Sequence, residues 1–268
     1  VEVEGETRVM PTLAYTVNQF RGAQIDREQL SNDPDEFRTQ IEEAIREWQA
    51  GQLKLIWLEI PIEKARLVPI ATEAGFTYHH ANEDSLTLTY RVQTDAFIPT
   101  FATHCIGAGG VVLNSRNELL VVNERHRRDM SRPHYKLPGG ALLAGEHIAD
   151  AVEREVMEET GVEAKFEAVV CFRHWHGYRW GKSDIYFICR LAPVSEEITI
   201  QPEEIEECLW MPVEEYLASE FVSVFNKQIV KAAIETKGFP SAWVDGYADP
   251  SRYEFFMPPT DSPNNLIE

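Results

Sequence analysis

Apolar and polar positions fall into two patterned blocks separated by an aperiodic stretch. In the first block, residues 13–17 and 23–25 predict short strands. Asp33 then offers a capping acceptor directly before Pro34, which a helix tolerates in its first turn. Phe37, Ile41, Ala44, Ile45 and Trp48 follow at helical spacing, and Gly51 closes the run. Residues 53–60 predict a buried strand. Residues 62–74 predict a helix that Pro69 must kink or restart, closed by Gly75. Residues 76–80 and 85–91 predict a final strand pair.

Residues 92–102 (VQTDAFIPTFA) keep no period and contain a proline, so the domain boundary is placed there. The division expected is a companion domain over 1–98, a second domain over 99–238 and a tail over 239–268, either wrapped on the domain or partly disordered. The second block opens with a hairpin signal: strands at 105–113 and 118–123 around a turn at 114–117. A strand at 135–137, further strands near 163–173, 184–192 and 206–211, and helices at 212–219 and 221–237 complete it. This alternation gives an α/β fold class.

Composition narrows the range of partners. The 268 residues carry 25 Lys and Arg against 44 Asp and Glu, a net charge of −19. A surface that acidic repels long nucleic acids and anionic membranes. No apolar run reaches the ~20 residues a membrane helix needs. Residues 1–10 alternate Val and Glu and have no basic or apolar signal region, so they do not read as a signal peptide. Cys105, Cys171, Cys189 and Cys208 have no C-x-x-C spacing and three lie in strand-like runs. They read as buried, reduced thiols of a cytoplasmic protein.

The chemistry concentrates in GALLAGEHIADAVEREVMEETGV, residues 140–162. Ile148, Val152 and Val156 form a buried helical stripe, while Glu155, Glu158 and Glu159 share another face. Like charges at this spacing destabilise an isolated helix. Two readings follow: a solvated acidic face, or oxygen ligands for Mg²⁺ or Mn²⁺ shared with substrate phosphates.

The wider spacing separates them. Gly140, Glu146, Arg154, Glu155, Val156, Glu158, Glu159, Gly161 and Val162 fill every defined position of G-x5-E-x7-R-E-U-x-E-E-x-G-U, where U is aliphatic. This is the Nudix box, and the chain resembles the Nudix hydrolases, with the family's α/β/α sandwich expected over roughly residues 100–238. The resemblance implies metal held by Glu155, Glu158, Glu159 and the Gly140 carbonyl, with Arg154 and Glu146 bracing the loop and helix. It implies attack of water on a nucleoside diphosphate linked to a group X. The base is a box glutamate or one outside it. Glu204, in a Glu-Ile pair ahead of Trp210, is the outside candidate, its alternative being a surface carboxylate.

Two stretches could offset the acidity near a phosphate. One holds Arg125, Arg127, Arg128, Arg132 and Lys136; the other, RHWHGYRWGK at 173–182, mixes Arg173, Arg179 and Lys182 with Trp175, Tyr178 and Trp180. Cations hold phosphates and aromatic rings stack on bases. Both stretches could equally be ordinary surface loops, and His174 and His176 read as structural. From these stretches Arg125, Arg127, Arg128, Arg173, Trp175 and Lys182 are the candidate substrate contacts.

GFTYHHANEDSLTLTY (75–90), GKSDIYFICRL (181–191) and WMPVEEYLAS (210–219) resemble one Nudix group with an N-terminal extension. It includes plant ADP-ribose and NADH pyrophosphatases and the animal protein encoded antisense to a fibroblast growth factor. The resemblance implies a GNAT-like N-terminal domain, ADP-ribose or NADH as substrate, and a homodimer. Coenzyme A, an oxidised nucleotide, or a non-catalytic nucleotide-binding role are the alternatives. Residues 1–98 contain no Q/R-x-x-G-x-G/A loop to cradle a coenzyme A pyrophosphate, which argues against acyl transfer.

Overall fold

The computed structural model describes residues 7–8, 13–127 and 129–259 and divides into two units, Val1–Ala102 and Thr103–Glu268. In the first, β1 (Thr7–Arg8), β2 (Tyr15–Val17), β3 (Gly22–Ile25), β4 (Leu55–Pro61), β5 (Thr77–Ala81) and β6 (Ser85–Arg91) form one sheet in the order β1-β2-β3-β4-β6-β5. Among the described residues of this sheet, only β3 and β4 pair in parallel. The crossover between them is α1 (Pro34–Ala50), whose Phe37, Ile41, Ala44 and Trp48 are buried. The Asp33 carboxylate accepts from the backbone N–H groups of Asp35 and Glu36, as the Asp-Pro pair predicts. Pro69 restarts the helix as α2 (Val68–Glu73) after a 3-10 stretch at Ile62–Leu67.

The expected boundary after residue 98 falls four residues early. Residues 99–101 stay with the first unit because His79 Nε2 lies 2.7 Å from the Pro99 carbonyl and His80 stacks on Phe101 at 4.3 Å.

The second unit contains β7 (His104–Val112), β8 (Glu118–Glu124), β9 (Tyr135–Lys136) and β10 (Gly139–Ala141). After α3 (Ile148–Thr160) come β11 (Ala164–Trp175), β12 (Ser183–Pro193), β13 (Ile205–Pro212), α4 (Val213–Ala218), α5 (Val224–Glu235), β14 (Ser241–Ala242) and β15 (Phe255–Phe256). One sheet runs β10-β7-β12-β11, with β7 and β12 parallel; a second runs β13-β8-β9. Alternation along the strands builds a core on each side. Val111, Leu119 and Val121 join Val213, Tyr216, Ile229 and Val230 of α4 and α5. Val112 and Leu120 join Val152 and Val156 of α3. This is an α/β/α arrangement.

β10 is a strand for which the sequence pattern sets no element. α5 starts at Val224, because the Ser223 hydroxyl accepts from Asn226 N–H, and not at Phe221. The segment after α5 is wrapped on the unit through residue 259: Phe239 and Val169 exchange backbone hydrogen bonds of 2.7 and 3.0 Å, β14 pairs with β15, and Phe256 packs on Phe166 at 5.3 Å. Residues 260–268 of the expected tail lie outside the described residues. Of the cysteines, all free, Cys189 is buried and the other three are partly exposed.

Candidate active site

The box is a strand, a loop and a helix. β10 lies on the β7 ladder, with Gly140 opposite Ala108. The loop at 142–147 then leads into α3, which ends at Gly161 in the left-handed conformation, φ 71°. Gly140 answers to a different demand. A Cβ there would sit 2.5–2.6 Å from the Glu155 carboxylate, so a side chain is excluded because that carboxylate occupies the space.

Arg154 organises the acidic face. Its Nε and Nη2 fork onto Glu146 at 2.7 and 3.0 Å, its Nη1 reaches Glu155 at 2.9 Å and Glu158 at 3.0 Å, and Nη2 meets the Ala141 carbonyl at 3.3 Å. Glu146 also accepts from Leu143 N–H and is held below the usual carboxylate range, chiefly by Arg154. Arg154 and Glu146 thus tie the loop at 142–147 to α3 through a charged, two-pronged pair.

Glu159 is only 5% exposed and accepts from Gly139 N–H at 3.0 Å; Lys136 Nζ stands 4.0 Å from its other oxygen. Burial pushes its carboxyl up to about 7, against the pull of Lys136 and the Gly139 N–H. Burial also raises Glu155, opposed by Arg154. Glu158 is half exposed.

A cleft of about 390 Å³ adjoins Glu159 through Gly139 and Lys136. Arg173, Tyr186, His134, Ser223, Phe225 and Asn226 complete its polar and aromatic wall. Arg173 bonds to the buried Asp184 at 2.6 Å and lies 5.5–5.9 Å from the rings of Trp175, Tyr186 and Phe225. Its Nε is buried with no hydrogen-bond partner. Larger hollows open on the first unit, but they contain none of the box residues. Of these three, the cleft beside Glu159 is the one that borders the box.

The remaining predicted residues are placed as follows. Arg173 lines the cleft, whereas Trp175 reaches it only through its contact with Arg173. Lys182 lies in the turn where β11 meets β12, its N–H bonded to the Arg179 carbonyl. Arg125 Nε binds the Pro202 carbonyl at 2.6 Å. Arg127 bonds to the carbonyls of Glu124 and Arg132 and to the Glu206 carboxylate, so its guanidinium is engaged in shaping the loop. Arg128 lies outside the described residues. Glu204 is exposed in the turn before β13, and its carbonyl accepts from Arg125 N–H at 2.7 Å. His104 Nε2 meets His174 Nε2 at 3.0 Å and His176 meets Ser183 at 2.8 Å, tying strand ends together as a structural role requires.

Sequence reasoning missed Tyr186 and the α5 residues. Gly107, Gly109 and Gly139 leave room for the Tyr186 ring, where added Cβ atoms would lie 2.7–2.8 Å away. The alternating glycines of GAGG, residues 107–110, are the signal that a ring crosses this sheet.

Comparison with known proteins agrees with this geometry. Residues 103–232 match the model described as NUDIX domain, and residues 13–92 match one described as Nudix hydrolase domain. The chain belongs to the Nudix hydrolase family. Within it, the chain is 38% identical over 202 residues to Nudix hydrolase 8 of Arabidopsis thaliana, covering 75% of this chain and 55% of that protein. To Nudix hydrolase 2 of the same plant it is 39% identical, covering 72% and 70%. To the Homo sapiens protein named nucleoside diphosphate-linked moiety X motif 6 it is 34% identical, covering 74% and 63%. These relatives place it in the plant and animal Nudix subgroup.

Nudix hydrolases generally use a divalent metal. Among the described residues no group of three or more His, Cys, Asp or Glu side chains forms a ready cage. The donor set still fits a hard cation. It is all oxygen, and it includes two carboxylates, Glu155 and Glu159, whose charge burial disfavours. A cation there would share Glu155 and Glu158 with Arg154.

Proposed function

We propose that this chain is a metal-dependent pyrophosphohydrolase of nucleoside diphosphates linked to a group X, with ADP-ribose or NADH as the substrate. The observation that carries it is one juxtaposition. Glu159 of α3 adjoins, through Gly139 and Lys136, a cleft whose lining includes the cations Lys136 and Arg173. The substrate class is supported by subgroup membership and by the name of the human relative.

Glu155, Glu158, Glu159 and the Gly140 carbonyl would hold Mg²⁺ or Mn²⁺. The bound metal would neutralise charge developing on the phosphoryl oxygens and ease deprotonation of water. Lys136 and Arg173 orient the diphosphate, and Asp184 fixes the direction of Arg173. Tyr186, Phe225 and Trp175 offer ring faces to a base or nicotinamide. Arg154 and Glu146 hold the carboxylates in place. Glu204 is carried as the base outside the box, acting on water at its carboxylate.

The first unit is read as a companion domain of acyltransferase-like fold, without acyl transfer. A homodimer and a cytoplasmic location complete the proposal; among the described residues no helix is long and apolar enough to cross a membrane. The test is Mg²⁺-dependent release of AMP from ADP-ribose and NADH. Glu158→Gln and Glu159→Gln should abolish turnover, Arg173→Ala should raise KM, and Glu204→Gln should lower kcat. Tight binding of a nucleotide with no turnover of any substrate would show a sensor instead.

A further inference from the structure

The helix that carries the box has no cap of its own. Its N-cap residue, His147, makes no side-chain hydrogen bond to the first turn. An α-helix leaves its first N–H groups without internal partners. Here Ile148 N–H donates to Glu254 Oε2 at 2.8 Å and Ala149 N–H to Glu254 Oε1 at 3.1 Å. Glu254 lies 106 residues after Ile148 and beyond residue 232, where the match to the family model stops.

We propose that Glu254 is a positioning residue for the box: its carboxylate caps α3 and holds the start of that helix in the register the metal-binding glutamates need. This rests on reading α3 as the catalytic helix. A carboxylate at this end also meets the positive pole of the helix dipole, so charge and hydrogen bonds act together.

The segment bearing Glu254 is itself anchored. β15 follows it directly and pairs with β14, Phe256 packs on Phe166, and the Pro250 carbonyl lies 3.0 Å from His147 Nε2. The box loop is therefore gripped from two sides. Arg154 holds Glu146 from within the helix, while Pro250 and Glu254 hold residues 147–149 from the C-terminal segment. The same Arg154 contacts Glu155 and Glu158, so slack at the helix start passes to the carboxylates.

The test compares the whole chain with Glu254→Ala and Glu254→Gln. Asp33→Ala is the control; Asp33 accepts from two N–H groups in the same way, but on α1 of the first unit. Three quantities are read: amide hydrogen exchange over 142–152, Mn²⁺ affinity by electron paramagnetic resonance, and kcat and KM with ADP-ribose at saturating Mg²⁺. Glu254→Ala should speed exchange in that segment alone, weaken Mn²⁺ about 10-fold, lower kcat about 10-fold and leave KM within about twofold. Glu254→Gln, with one acceptor oxygen and no charge, should lose about threefold in both affinity and kcat. Asp33→Ala should match the wild type in all three. Wild-type Mn²⁺ affinity and kcat in Glu254→Ala overturn the proposal, as does a raised KM at unchanged kcat. If Glu254→Ala does not fold, wild-type values in Glu254→Gln overturn it. A wild-type chain without turnover counts against the hydrolase reading, while the exchange and Mn²⁺ measurements still judge the cap.

Discussion

Arg154 and Glu146 meet in a two-pronged ion pair, 2.7 Å from Nε to Oε1 and 3.0 Å from Nη2 to Oε2. The pair closes the loop between β10 and α3 onto the helix eight residues away. A lysine can supply the charge but not the fork, nor the simultaneous reach to Glu155, Glu158 and the Ala141 carbonyl. Arg154→Lys should therefore lower kcat/KM by roughly 10- to 100-fold. Steady-state kinetics beside a thermal melt would check this, since a comparable loss of folded protein would point to stability instead.

Gly140→Ala is expected to cost function more than stability. The added Cβ would fall 2.5 Å from a Glu155 oxygen, and the movable end of a side chain can shift where backbone cannot. Glu155 should swing away, so that Mn²⁺ titration weakens while the denaturant midpoint changes little. A large drop in the midpoint with unaltered metal affinity would contradict the account.

Much of this was legible beforehand and some was not. The box, its helix and the Arg154–Glu146 brace depend on spacing within 23 residues, and local pattern shows such spacing directly. The cap from Glu254 depends on a contact across 106 residues, which no periodicity records. The loop arginines illustrate a different limit. Charge counting marks Arg125 and Arg127 as available to phosphate, but their guanidinium groups bond to backbone carbonyls that only the folded turn supplies. β10 was hidden because Gly139 and Gly140 have turn-like composition, although tight packing against Ala108 and Glu155 is what requires them.

Gly109 and Tyr186 should behave as a coupled pair. A methyl at position 109 would lie 2.8–2.9 Å from the tyrosine ring and hydroxyl. Gly109→Ala alone should destabilise by about 1–3 kcal/mol. Adding Tyr186→Leu should return part of that loss, giving a double-mutant coupling of about 1 kcal/mol. Additive losses in denaturant unfolding would sink the packing explanation.

Cys208 carries a pH signature. Burial pushes its thiol from 9.0 up to about 12, so the folded state favours the protonated form. Its contribution to stability is whole below pH 9 and fades as pH climbs towards 12. Cys208→Val should flatten the alkaline decline of the unfolding midpoint as pH rises from 9 towards 12. At pH 8 the folded thiol should react slowly with a disulfide reagent and quickly once unfolded. Rapid labelling of native protein at this position would contradict the shift.

The position of the α3 cap gives the molecule a direction in time. Chains are synthesised from the N-terminus, and units tend to fold as they emerge. The four-stranded and three-stranded sheets and the fully buried members of both cores of the second unit are complete in sequence by residue 235, yet the acceptor for the first two N–H groups of the box helix comes at residue 254. A nascent chain can thus assemble its scaffold before the glutamate helix has its start secured. The strand-loop-helix that bears the chemistry is among the last parts to become fully bonded, and translation itself sets the interval.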